Sequence, residues 1–228
     1  MPKEGDADFV CAMEDVLEVY RRPYNSARPL VCLDEATKQL VADVTPPQSL
    51  QPGQPARQDY EYERRGTANL FMVVEPLAGR RHVKVTDRRT NEDFAYLLRD
   101  LSDVHYPHAE QIVVVMDNLN THKLSVLYQV FPPDEARRLF ERFEVHHTPK
   151  HASWLNIAEC ELSVLGRQCL GQRIEDRPLL EREVAAWEGK RNNQAARVDW
   201  QFTTADARIK LKRLYPVLVP VKSTEPDH

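Results

Sequence analysis

The sequence predicts a mixed α/β fold, a sheet of about five strands with flanking helices whose first three strands are antiparallel. Short apolar runs bounded by turn residues alternate along the chain with stretches of helical periodicity. The run Gln111-Ile-Val-Val-Val-Met-Asp117 is apolar on both faces, as a central strand covered by helices must be. Two further apolar runs are joined by Pro76-Leu-Ala-Gly-Arg-Arg81, a connection short enough for an antiparallel hairpin.

The elements follow in order. Phe9, Val10, Met13, Val16, Leu17 and Tyr20 recur at helical spacing and predict a leading amphipathic helix over Asp8–Tyr20, ended by Pro23 and Pro29. Leu-Val-Cys-Leu-Asp-Glu after Pro29 reads as a buried strand with Asp34 at its far end. Val44–Tyr62 carries Pro46, Pro47, Pro52, Gly53 and Pro55 with few apolar residues and predicts an extended loop. Thr67–Glu75 and His82–Asp87 are the hairpin strands, completing a three-stranded meander with the first. Asn91–Tyr106 is a helix with Thr90 or Asn91 as cap. After the central strand, Leu124–Val130 is helical, and Pro133–Arg142 places proline and acids where a helix begins. Phe143–Thr148 is a last short strand; Asn156–Leu170, Pro178–Asn193 and Thr203–Leu214 are helices. The expected organisation is an N-terminal helical lead over residues 1–28, a main domain over 29–195 and a C-terminal helix and tail over 196–228.

The 228 residues, 42% hydrophobic and 29% charged, suffice for one sizeable core. No apolar run approaches the roughly 20 residues of a membrane span, and the N-terminus lacks the pattern of a secretory signal. A cytoplasmic protein is expected. Cys11, Cys32, Cys160 and Cys169 show no CxxC spacing and read as reduced structural thiols. The net charge of −4 does not announce a nucleic-acid partner. Basic residues do gather locally at Arg64-Arg65, Arg80-Arg81, Arg88-Arg89 and over Arg208 to Arg213, where they could hold phosphates or simply be solvated.

Chemistry concentrates on carboxylates. Asp34 and Asp117 each follow a buried apolar strand, and a carboxylate beside a core needs a positive partner. Hard oxygen ligands of this type suit Mg²⁺ or Mn²⁺. Taken singly, each aspartate could equally be a turn former or helix cap. The third element is His146-His-Thr-Pro-Lys-His-Ala-Ser-Trp-Leu-Asn-Ile-Ala-Glu159, where Asn156 caps a helix with Glu159 in its first turn. Glu161 is a rival, but two residues along a helix turn the side chain by about 200°, so Glu159 and Glu161 cannot share one site. Glu35 is a weaker rival to Asp34, because neighbours on a strand face opposite ways. His146, His147 and His151 lack the cysteine pairing of a common zinc site.

These blocks together resemble the DDE-type transposases of bacterial insertion sequences, relatives of the mariner elements. The resemblance rests on Asp34 in Leu-Val-Cys-Leu-Asp-Glu, on Asp117-Asn118 with His122 following, and on Pro149-Lys-His-Ala-Ser-Trp-Leu-Asn-Ile-Ala-Glu159. It implies a ribonuclease-H-like fold in which Asp34, Asp117 and Glu159 bind two divalent ions, Mg²⁺ or Mn²⁺, for DNA cleavage and strand transfer. Glu159 is preferred over Glu161 because it stands three residues after Asn156, as in the family. Asn118, His122, Lys150, His151 and Asn156 would support the acids or touch DNA. The implied partners are element ends and target DNA, a second copy of the chain in a dimer assembled on DNA, and no membrane, with action at the nucleoid. About thirty residues precede Asp34, too few for the family's helix-turn-helix reader, so a separate DNA-reading part is expected. A nuclease without strand transfer, or an inactive remnant acting as a binding or assembly module, are the alternative readings.

Overall fold

A computed structural model describes residues 4–44, 61–117 and 123–217 of the chain. The expected loop after Val44 therefore lies almost wholly outside the described residues, as do Asn118 and His122. Five strands form one sheet in the order β3-β2-β1-β4-β5. β1 (Leu30–Asp43), β2 (Tyr62–Glu75) and β3 (Arg80–Thr86) make the antiparallel meander, while β4 (Ile112–Met116) runs parallel to β1, and β5 (Phe143–His147) parallel to β4.

Strand alternation divides the apolar residues between two faces. Cys32, Leu70, Met72, Val113 and Val115 point to one core, shared with α1 (Ala7–Tyr20), α5 (Ile157–Gln168), α6 (Arg177–Asn193) and α7 (Thr204–Lys210). Val31, Leu33, Phe71, Val114 and Met116 point to the other, shared with α2 (Asn91–Asp100), α3 (Leu127–Val130) and α4 (Pro133–Glu141). Full burial of each such side chain contributes about 1.5–3 kcal/mol. The N-terminal lead and the C-terminal helix enter the first core directly, through Met13, Val16, Leu17 and Ala207.

The open edge of β3 is closed by side chains of α6. Glu188 accepts from the Val83 N–H at 2.9 Å, and Asn192 accepts from the Arg81 N–H at 2.7 Å while donating to its carbonyl at 2.9 Å. Unpaired strand groups are thereby satisfied without another strand.

Several boundaries differ from the sequence expectation, among them the start of β2, at Tyr62 and not Thr67. β1 continues nine residues past Asp34 because β2 pairs with it as far as Asp43, so Asp34 lies inside the strand rather than at its end. The helix from Asn91 becomes a π-helix over Leu101–His105; this wider turn brings Tyr106 into the core, where its hydroxyl donates to Glu75 at 3.2 Å. The last helix ends at Lys210 and resumes as a 3₁₀ turn over Lys212–Leu214. No helix among the described residues is long and apolar enough to cross a membrane.

Candidate active site

The parallel pairing of β1 with β4 sets the site. Leu30, Val31 and Cys32 pair with Val113, Val114 and Val115. Two residues beyond Cys32 and Val115 stand Asp34, within β1, and Asp117, just past the end of β4. By alternation both share the face of Cys32 and Val115, which is the face that α5 covers. β4 stops at Met116 while β1 runs on, so the sheet opens at this level into a cleft.

That cleft has a volume of about 460 Å³ and is lined by Asp34, Glu35, Asp117, Thr148, Asn156 and Glu159, with Ser153, Leu162 and Ser163 at its α5 side. Glu159 enters from the first turn of α5, whose N-cap is Asn156: its Oδ1 accepts from the Ala158 N–H at 3.1 Å. The loop leading into this cap is held from behind by α1, because the buried Tyr20 hydroxyl donates to the Leu155 carbonyl at 2.6 Å. The Asp34 carboxylate accepts from the Glu35 N–H at 2.8 Å. Glu35 turns the other way and pairs with Arg89 at 3.0 Å. A His147 ring nitrogen lies 3.1 Å from the Asp117 carbonyl oxygen, fixing the chain where β4 ends.

Glu161 is buried away from the cleft against Arg81 and Arg191. Burial pushes its carboxyl up, yet the hydrogen bonds and charge of Arg81, with the charge of Arg191, outweigh it and hold the group below the usual carboxylate range. The 200° separation expected from helix geometry is thus the difference between a carboxylate in the cleft and one in an ion-pair cluster.

Of the other sequence candidates, Asn156 lines the cleft, whereas Lys150 and His151 are exposed on the preceding loop and are not among its lining residues. The histidines do not converge: His146 sits between Asp15 at 2.6 Å and Glu144 at 2.9 Å. Several basic residues that the sequence left open as phosphate holders or solvated charges pair with acids, Arg81 with Glu161, Arg89 with Glu35 and Arg208 with Glu14. Thr148, Ser153 and Ser163 were not singled out by the sequence. Ser163 stands four residues after Glu159, a spacing that places it on the same helix face, and Thr148 follows β5 as Asp117 follows β4.

Three carboxylates on three separate elements are an oxygen-only donor set, the chemistry that hard divalent cations take. Among the described residues no group of three or more His, Cys, Asp or Glu is drawn together closely enough to hold an ion as it stands. The donor type fits a divalent ion, and mutual repulsion of three negative groups favours a spread arrangement until a cation compensates it.

A family model described as DDE superfamily endonuclease matches residues 29–181, a span that includes all three acids. No curated protein matches. Among solved structures, the Mos1 mariner paired-end complex with Mn aligns at a TM-score of 0.56 and 16% identity, over 86% of this chain and 60% of that one. The Mos1 strand transfer complex gives 0.55 and 14% over 86% and 61%. The Mos1 paired-end complex with Mg gives 0.54 and 14% over 94% and 65%. At these identities the likeness establishes the fold, the ribonuclease-H-like one that the resemblance implied. The chain spans about 60% of the length of the Mos1 protein in the first of these. Since the family model accounts for well over half of its residues, the chain belongs to the DDE superfamily endonucleases.

Proposed function

We propose that this chain is the catalytic part of a DNA transposase, which hydrolyses a phosphodiester bond at an element end and then joins the freed 3′ hydroxyl to target DNA. The observation carrying this reading is the presence of Asp34, Asp117 and Glu159, from two adjacent strands and a facing helix, on one open cleft.

In this reading the three carboxylates hold two divalent ions, Mg²⁺ or Mn²⁺. When bound, such ions lower the pKa of an attacking water or hydroxyl and stabilise the leaving oxygen of an in-line displacement at phosphorus. The chain's own contribution is placement. Asp34 and Asp117 are set side by side by the β1–β4 register, and Glu159 is brought opposite them by its cap. Asn156 holds that cap. Ser153 and Ser163 supply hydroxyls at the rim, where a phosphate oxygen could accept from them. Solved Mos1 complexes with Mn and with Mg support the choice of ions, and those with paired ends or in strand transfer support DNA as the partner. A paired-end assembly further supports two copies acting together on DNA.

The test is nicking of supercoiled plasmid and cleavage of a labelled duplex with Mg²⁺ or Mn²⁺. Cleavage lost in Asp117→Ala, together with joined products in the wild type, supports the reading. Equal activity of that variant contradicts it, and cleavage without joined products makes the protein a nuclease instead.

A further inference from the structure

Arg81 and Glu161 are almost wholly inaccessible to solvent, with 0% and 4% of their side chains exposed. Arg81 meets both carboxylate oxygens, Nε to Oε2 at 3.0 Å and Nη2 to Oε1 at 2.8 Å, and its Nη1 donates to the Gly79 carbonyl at 2.7 Å. Arg191 of α6 reaches the same carboxylate, Nη2 lying 2.9 Å from Oε1 and 3.3 Å from Oε2. Its Nε is buried with no hydrogen-bond partner among the described residues. One carboxylate on α5 is therefore gripped from the β2–β3 hairpin and from α6 at once.

Such a cluster is a poor way to gain stability. Desolvation costs several kcal/mol per ion, and well-packed apolar residues of similar volume commonly do as well or better. What it supplies is direction, since a bidentate arginine–carboxylate pair has a fixed plane. The apolar contacts of α5, made through Ala158 and Leu165, are non-directional and leave rotation about the helix axis less constrained. The Glu159 carboxylate projects from the same helix on the far side, two residues earlier. With side chains reaching about 5–6 Å from the axis, a 20° roll of α5 would swing that carboxylate by about 2 Å. A metal–ligand bond tolerates about 0.2 Å.

We propose that Arg81, Glu161 and Arg191 are positioning residues, which lock the rotation of α5 and thereby aim Glu159 into the cleft. The proposal rests on the reading of that cleft as a divalent-cation site, but it makes a claim about the helix that can be read without any metal. None of the three residues is assigned to the cleft lining.

The experiment compares the wild type with Glu161→Gln and with the apolar triple variant Arg81→Met, Glu161→Leu, Arg191→Met. Glu161→Gln keeps the shape and weakens the grip; the triple variant keeps the packing and removes the charges, so that one remains folded if the other does not. Mn²⁺ titration should show a 10–100-fold weaker half-saturation in a variant whose Tm is retained, the size of effect expected for groups that orient a ligand. Nitroxides on the exposed Cys160 and Cys11, with Cys32 and Cys169 buried and unlabelled, should give a sharp dipolar distance in the wild type and a broadened or displaced one in the variants. Folded variants with wild-type Mn²⁺ binding and an unchanged distance distribution would overturn the proposal. If the wild type binds no Mn²⁺, the metal reading of the cleft fails by itself, and the distance distributions still decide whether the cluster locks α5.

Discussion

Asn156 donates through its Nδ2 to the carbonyl of Leu33 at 2.9 Å, one residue before Asp34. The same side chain caps α5 through its Oδ1, so one buried amide spans from the strand that carries the first acid to the helix that carries the third. Neither bond alone would set the distance between Asp34 and Glu159; together they couple the two elements.

Two variants separate these bonds. Asn156→Asp keeps the cap and loses the donor to Leu33; Asn156→Ala loses both. Loss of the cap should destabilise by about 0.5–2 kcal/mol, and loss of the bond to the Leu33 carbonyl by about 0.5–1.5 kcal/mol. Chemical denaturation should therefore find both variants less stable than the wild type, the Asp variant through a buried carboxylate set against the Leu33 carbonyl oxygen and the Ala variant through loss of both bonds. Cleavage should fall about 10–100-fold in the Asp variant, as for other groups that orient ligands. An Asp variant with wild-type cleavage would remove the coupling role.

Gly79 has φ of +71°, and a Cβ there would stand 2.5 Å from the Ala195 backbone carbon beyond α6. Gly79→Ala meets both a left-handed backbone and a backbone clash, and should destabilise by at least about 2 kcal/mol. The loss is read as a lowered Tm, and an unchanged Tm would show that the hairpin end and the segment after α6 are not held in contact.

Tyr106 donates to the buried carboxyl of Glu75, whose pKa is pushed up by burial and only partly restored by that hydrogen bond. Tyr106→Phe leaves the Glu75 group without this partner, and a buried polar group so treated costs about 1–3 kcal/mol. Urea denaturation of the variant checks this.

His82 stacks on His105 with ring centroids 3.8 Å apart. Burial first, then the charges of His105 and Arg80, hold His82 down to about 4. The folded pKa lies below the ordinary 6.5, so as pH falls the unfolded chain takes up a proton that the folded chain refuses. Stability is present above pH 6.5 and is lost progressively down to about pH 4, by up to about 3 kcal/mol. Glu75 and Glu188 are raised by burial and act in the opposite sense, favouring the fold on acidification. The His82 contribution is therefore isolated by subtracting the pH–stability curve of His82→Phe from that of the wild type. A flat difference between pH 6.5 and 4 would contradict it.

Much of this architecture was legible because its signals are local. The apolar run before Asp117 and the cap at Asn156 each announce an element and its end, and both elements lie where the sequence puts them. The extension of β1 beyond Asp34 was not legible, because it depends on pairing with β2 across a segment that carries no strand signal of its own. Nor was the fate of the arginines. Arg81 reads as half of an exposed basic pair, and only the packing of α6 against β3 reveals it as the most deeply buried charge among the described residues. The parity that separates Glu159 from Glu161 could be derived from helix geometry, and the resemblance preferred Glu159; that Arg81 and Arg191 hold Glu161 was not legible.

The central claim is that Asp34, Asp117 and Glu159 act as one metal site. Crystals soaked in Mn²⁺ and measured at the manganese absorption edge test it most directly. Anomalous peaks in the cleft, with oxygen atoms of all three residues within about 2.5 Å of an ion and Glu161 still paired with Arg81, are the predicted result. Saturating Mn²⁺ with no peak in the cleft, or an ion held without Glu159, would contradict it.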